Sequence, residues 1–207
     1  MKLSKIFGSF IFLYYICIKK RNNLKLYMIT INDNISNNSQ QKLWCESFLG
    51  FKNIAEKMKW DQYVDSNVAI ISINNSSHCD ITDEYHICKE SHNVLNLDFD
   101  DIDPVALGLP ENSISYTYEN LYKLGTYTTV VFFSREMAEK CVKFIENNKD
   151  KHFFIHCSAG ISRSQAFVKY IKNVYYDNEF YTNPNNPCMH PNGDVFQKLM
   201  QAYRERP

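Results

Sequence analysis

Apolar and polar positions along this chain switch between two periods, and the switches mark its elements. Val68-Ala69-Ile70-Ile71-Ser72-Ile73 is a nearly unbroken apolar run bounded by Asn67 and Asn74-Asn75, the mark of a central strand covered on both sides. Val94 to Phe99 predicts a second strand, and Phe153-Phe154-Ile155 a short, buried third. Ser134 can cap a helix whose stripe is Ala138, Cys141, Val142 and Ile145, ending before Asn147-Asn148. From Ala166 the period is again helical, with Phe167, Tyr170, Ile171 and Val174 at spacings of three and four. A last helix follows from Asp194 through Val195, Phe196, Leu199, Met200 and Tyr203. Residues 41–60, with Leu43, Trp44, Phe48, Ile54, Met58 and Trp60, read as two short helices broken at Gly50. Leu26 to Ile31, closed by Asn32-Asp33-Asn34, reads as an opening strand and turn, and the proline- and asparagine-rich stretch Tyr181 to Gly193 as a loop. Strand and helix signals in alternation predict an α/β fold, a mostly parallel central sheet flanked by helices, with ligands bound beyond the carboxyl ends of its strands.

The stretch 152–165 adds chemistry to that frame. Its apolar strand ends on His156 and Cys157, five mostly small or polar residues follow, and Arg163 and Ser164 open the helix. A helix start leaves backbone N–H groups unpaired at the positive end of the macrodipole, so a loop wrapped over it makes an anion cradle. A cysteine at the mouth of such a cradle is favoured as thiolate. Arg163 can hold two oxygens of a tetrahedral oxyanion with its fork of donors. The pattern places a nucleophile against a dianion.

His156-Cys157-Ser158-Ala159-Gly160-Ile161-Ser162-Arg163-Ser164 resembles the H-C-x5-R-S signature of the protein tyrosine phosphatase superfamily, and is most similar to its compact, dual-specificity-like bacterial and phage members. The resemblance implies a phosphate-binding loop of Ser158, Ala159, Gly160, Ile161, Ser162 and Arg163 between strand and helix. It implies Cys157 as the nucleophile that forms a cysteinyl-phosphate, Arg163 as the phosphate clamp, and Ser164 as the hydroxyl that stabilises the departing thiolate. His156 would orient the loop and help set the cysteine's ionisation.

Ester cleavage also needs a proton for the departing oxygen, which a positioned Asp can give. Asp98, Asp100, Asp101 and Asp103 cluster at the end of the second strand. The resemblance favours Asp101 as general acid, because Phe99-Asp100-Asp101-Ile102 is most similar to the family's strand end and acid, with Asp103 second. Asp101 lies 56 positions before Cys157, farther than in the compact members. The extra length falls in residues 104–133, which hold Gly108, Pro110, Tyr116, Tyr118, Tyr122 and Tyr127. They read as an insertion beside the cleft, either a flap that shapes substrate choice or a surface excursion.

Composition changes the picture in three places. Charges balance at 23 basic against 23 acidic residues, so no global field recruits nucleic acid or an anionic membrane. The 7 cysteines form no small-domain framework; with Cys157 needed as a thiolate, a reducing, cytoplasmic setting is expected, and Cys141 and others are core thiols. His78, Cys79, His86, Cys88 and His92 fall close together but lack the paired spacing of structural zinc sites, so no metal is expected. Residues 1–27 hold a basic start, an uncharged run from Ile6 to Ile18 and the cluster Lys19-Lys20-Arg21. Such a run is shorter than the about twenty residues of a membrane span. It fits a secretion signal or short anchor, an added element of the fold, or sequence upstream of a start at Met28, and the last is preferred because the chemistry needs nothing before it. Residues 28–207 then read as one phosphatase-like domain, with membrane contact only if residues 6–18 are a real anchor.

The expected activity is a metal- and cofactor-free phosphomonoester hydrolase acting on phosphorylated protein, either a protein-tyrosine or a dual-specificity phosphatase. Phosphoinositides and RNA 5′-phosphates, which gain from basic pocket residues, fit less well because Ser158, Ala159, Ile161 and Ser162 bring none. From another class, a noncatalytic phosphate-binding module would keep Arg163 and the loop without turnover.

Overall fold

The computed structural model describes residues 43–76, 85–119, 125–175, 181–182 and 190–206. The expected strand at 26–31, the leader at 1–27, and His78 and Cys79 lie outside them. Five parallel strands form the central sheet in the order β3-β2-β6-β1-β7, namely β1 (Leu43–Ser47), β2 (Val68–Asn74), β3 (Val94–Asp98), β6 (His152–Cys157) and the two-residue β7 (Tyr181–Thr182). Four helices among the described residues flank it: α1 (Phe48–Met58), α2 (Arg135–Asn147), α3 (Arg163–Tyr175) and α4 (Gly193–Arg204). None is long and apolar enough to cross a membrane. The parallel α/β arrangement, with a loop between central strand and helix, is the one the alternating pattern predicts.

Residues of successive parity on each strand divide the core in two. Leu43, Cys45, Ala69, Ile71, Ile73, Phe153, Ile155 and Cys157 pack with apolar residues of α2, α3 and α4. On the other face Trp44, Val68, Ile70 and Phe154 pack with Phe51, Ile54 and Ala55 of α1 and with Trp60. Trp44 stacks on Phe154 with ring centroids 4.4 Å apart, and Trp60 meets Phe154 edge-on at 4.7 Å. Each such fully buried side chain contributes about 1.5–3 kcal/mol, which is why β2 and β6 show no alternation in sequence: both of their faces are covered.

Residues 41–60 differ from their expected pair of helices. Leu43–Ser47 is a strand paired with β6 and β7, and a single helix runs through Gly50. Burial between two neighbours overrides the helical spacing of Leu43, Trp44 and Phe48. Gly50 is in the first turn rather than at a break: Ser47 caps the helix by accepting from the Gly50 N–H at 3.1 Å, and a Cβ at position 50 would lie 2.5 Å from a Glu46 carboxylate oxygen. The expected loop at 181–193 likewise contains β7.

Residues 104–133 leave and rejoin the core. A 3₁₀ turn at Val105–Leu107 is followed by an antiparallel ribbon of β4 (Ser115–Glu119) and β5 (Tyr127–Val131). Tyr116, Tyr118 and Tyr127 are exposed on it, whereas Val130, Phe132 and Phe133 are buried. Phe133 packs against Phe99 at 4.8 Å and Phe167 at 5.9 Å. The ribbon's return strand thus feeds the core directly and leads into α2 through the Ser134 cap.

Candidate active site

Cys157 ends the central strand β6, and the loop after it folds back over the start of α3. Gly160 makes the turn possible. Its φ is +72°, and a Cβ there would stand 2.6 Å from the Glu46 carbonyl carbon, so β1 and the loop approach only at a residue without a side chain. The loop's carbonyls are engaged by neighbouring donors. Ser158 O accepts from Phe48 N at 3.1 Å, Gly160 O from Gln165 Nε2 at 3.1 Å, Ile161 O from His190 N at 3.2 Å, and Ser162 O from Asn192 N at 3.2 Å and Ala166 N at 3.1 Å. A trans peptide sets its N–H opposite its C=O. The N–H groups of Ile161, Ser162 and Arg163 therefore point away from these partners, as a backbone anion cradle requires.

Arg163 is 3 % exposed and held entirely by neutral groups. Nη1 donates to Asn74 O at 3.1 Å and Phe99 O at 2.6 Å, at the ends of β2 and β3, and Nη2 donates to Ser158 Oγ at 2.8 Å. Nε is buried without a hydrogen-bond partner. A buried cation with neutral partners is costly until an anion joins it, so the guanidinium is poised for one.

Ser164 Oγ lies 3.1 Å from Cys157 Sγ and 3.1 Å from Cys45 Sγ. Burial, with the nearby Cys157 adding, raises the Cys45 pKa well above its ordinary value, so Cys45 keeps its proton and donates it to Ser164 Oγ. The serine hydroxyl is then directed at Cys157. Gln165 Nε2 donates to Cys45 Sγ at 3.1 Å and holds that thiol in place. Neither Cys45 nor Gln165 stood out in the sequence, because their roles come from contact between β1 and α3 rather than from any local spacing.

His156 faces the opposite side of the sheet, stacked on Phe51 with centroids 4.2 Å apart. Burial pushes its pKa down to about 3, and the charges of His86 and Arg163 act in the same direction. The imidazole is neutral at physiological pH.

The four aspartates divide. Asp98 Oδ1 is 3.0 Å from His86 Nε2. Asp100, buried, accepts from the Ser76 hydroxyl and from Val131 N at 2.9 Å. Asp103 Oδ1 accepts from Val105 N at 2.8 Å, just before the 3₁₀ turn. Asp101 reaches the loop: its Oδ1 accepts from Ser162 Oγ at 2.8 Å and from Asn192 Nδ2 at 2.8 Å. Asn192, also the cap of α4, is a second contact that sequence reasoning missed.

Among the described residues no cluster of histidine, cysteine, aspartate and glutamate is placed to hold a metal ion. His86 is engaged by Ser72 and Asp98, and Cys88 is buried in the α1-side core. Cys157, His156, Arg163 and Ser164, in strand-loop-helix order, make a cysteine-based, phosphatase-type site. No family model matches the chain, and no curated protein matches it significantly.

Proposed function

We propose that the protein is a cysteine-dependent phosphomonoester hydrolase whose substrates are phosphotyrosine-bearing proteins, with phosphoserine and phosphothreonine as minor ones. The observation that carries this is Arg163, a buried guanidinium with neutral partners and an unpartnered Nε, on the same short loop as Cys157. The Cys157 thiolate attacks phosphorus, forming the S–P bond as the P–O ester bond breaks. Asp101, as the acid, gives its proton to the departing tyrosyl oxygen. Water then attacks phosphorus, Asp101 takes a proton from it, and the S–P bond breaks to return the thiolate, which the Ser164 hydroxyl stabilises. Arg163 and the loop amides hold the equatorial oxygens throughout, and such preorganised donors are the main source of acceleration in phosphoryl transfer. His156 orients the loop. A thiolate nucleophile fits a reducing, cytoplasmic setting. The exposed ribbon of Tyr116, Tyr118 and Tyr127 would serve as a flap that contacts protein substrates beside the cleft.

Steady-state hydrolysis by the full chain of a phosphotyrosine peptide, a phosphoserine peptide, a phosphoinositide and a 5′-phosphorylated RNA tests the substrate class. The phosphotyrosine peptide is expected to be fastest in kcat/KM; preference for the lipid or RNA would overturn the protein-substrate reading, and no turnover of any would leave a phosphate-binding module. The acid is tested by leaving group. A tyrosyl oxygen has a conjugate acid of pKa about 10 and needs the proton, so Asp101→Asn is expected to slow the phosphotyrosine peptide by roughly 10²–10⁴ and an activated aryl ester much less. If Asp103→Asn shows that pattern instead, the acid is Asp103.

A further inference from the structure

Ser72, His86 and Asp98 take no part in the steps above, yet they connect to His156 in an unbroken series. His156 Nε2 is 2.8 Å from Ser72 Oγ, Ser72 Oγ is 2.8 Å from His86 Nδ1, and His86 Nε2 is 3.0 Å from Asp98 Oδ1. The sheet makes this possible. Ser72 and His156 are register partners on β2 and β6, and Asn96, the partner of Ser72 on β3, is two residues before Asp98. All three polar side chains therefore leave the sheet on its α1 face near the carboxyl ends of the strands. The series runs from Asp98, whose side chain is 60 % exposed, through His86 at 19 %, to Ser72 and His156, which are both fully buried.

The chemistry of the four groups orders the protons. A carboxylate only accepts, so Nε2 of His86 carries a hydrogen and, in the neutral ring, Nδ1 is an acceptor. Ser72 has one hydrogen and stands between two imidazole nitrogens. With His86 neutral it donates to His86 Nδ1 and must then accept from His156, which puts the His156 proton on Nε2. The other nitrogen, His156 Nδ1, is buried with no hydrogen-bond partner. It is a bare lone pair in this tautomer and an N–H dipole in the other, in the residue that adjoins the nucleophile.

We propose that Ser72 and His86 are positioning residues: anchored by Asp98, they order the hydrogen bonds that reach His156, fix which ring nitrogen carries its proton, and so set the electrostatic surroundings of Cys157. The catalytic consequence rests on the phosphatase reading; the ordering of the protons does not.

The test uses the ¹⁵N-labelled full chain at pH 8, where an ordinary imidazole has lost its second proton. Histidine ¹⁵N shifts are expected to show His156 protonated on Nε2. His86→Leu removes the acceptor and frees the Ser72 hydroxyl to donate to His156, as Ser72→Ala removes the link itself. In both, the ratio of the two His156 tautomers is expected to change by about two- to tenfold, the effect of one hydrogen bond. The rate of Cys157 alkylation by iodoacetamide at pH 6.5, and kcat with KM held within about twofold, should change by a similar factor. His86→Asn, whose amide oxygen can accept from Ser72 where Nδ1 did, should return all three toward the parent. Folded His86→Leu and Ser72→Ala proteins with parental tautomer ratios, or with parental alkylation rates despite a changed ratio, would overturn the proposal, as would a loss of thermal stability alone. If the parent hydrolyses no phosphoester, the phosphatase reading fails, while the ¹⁵N shifts and alkylation rates still decide the role of the chain.

Discussion

Arg163 carries two duties at once. Its Nη1 ties the ends of β2 and β3 together through Asn74 O and Phe99 O, while Nε has no hydrogen-bond partner and, on the phosphatase reading, is the donor an oxyanion would take. A lysine keeps the charge and loses the fork. Arg163→Lys is expected to lower kcat by at least about a hundredfold, the effect of removing a transition-state donor, and an equal rate would show that net charge suffices. His156 carries a different signature, in stability. Its folded pKa is depressed by burial to about 3, whereas an unfolded histidine titrates at about 6.5. Between those values the unfolded chain binds the proton and the folded one does not, so stability falls as pH drops through this window, by up to about 1.4 kcal/mol per pH unit. Urea unfolding at pH 7, 6, 5 and 4 is expected to show that decline, and His156→Gln to make it shallower by up to that amount. The same slope in both proteins would mean that His156 is protonated in the fold. At this scale the cluster of Cys157, His156, Arg163 and Ser164 was legible because these residues sit within one short stretch. Ser72, His86 and Cys45 were not: Ser72 and Cys45 meet the site through strand pairing and the contact of β1 with α3, and His86 through its hydrogen bond to Ser72, none of which local spacing encodes.

Among the elements, β1 shows what the hydrophobic pattern leaves open. Leu43, Trp44 and Cys45 are buried on alternate faces, but a run this short fits either period, and only pairing with β6 and β7 decides it. Longer patterns were read correctly as elements: β2 from its unbroken apolar run, α2 from a stripe that is buried, and α4 from one whose Val195 and Leu199 are buried while Phe196, Met200 and Tyr203 are partly so. The turn from β6 into α3 depends on Gly160 for both its left-handed backbone and its approach to Glu46. Gly160→Ala is expected to cost roughly 1–3 kcal/mol of stability and to reduce turnover strongly by displacing the loop amides. Gly193 begins α4 with open space around it, and Gly193→Ala should be neutral or stabilising by up to about 1 kcal/mol, with turnover retained. Urea midpoints and kcat of the two variants measure this contrast; equal effects would remove the argument for a close-packed loop.

On the scale of the whole molecule, the two faces of the sheet divide the work. The face toward α2, α3 and α4 places Cys157 beside Ser164 and Cys45, and the face toward α1 holds His156 with its polar chain. The carboxyl ends of β2, β3 and β6 bring both to one edge, as the alternating strand and helix signals implied. The aspartates were harder to tell apart, because four stand within six positions and the bond from Ser162 to Asp101 forms only on folding. The central claim, a phosphoryl group carried on Cys157, is tested most directly by acid-quenching the full chain during turnover of a ³²P-labelled phosphotyrosine peptide and locating the label by mass spectrometry. A labelled peptide spanning Cys157, absent from Cys157→Ser, which should have no turnover yet still bind tungstate, is the expected result. Turnover by Cys157→Ser within about tenfold of the parent, or label on another residue, would contradict a cysteinyl-phosphate mechanism at this site.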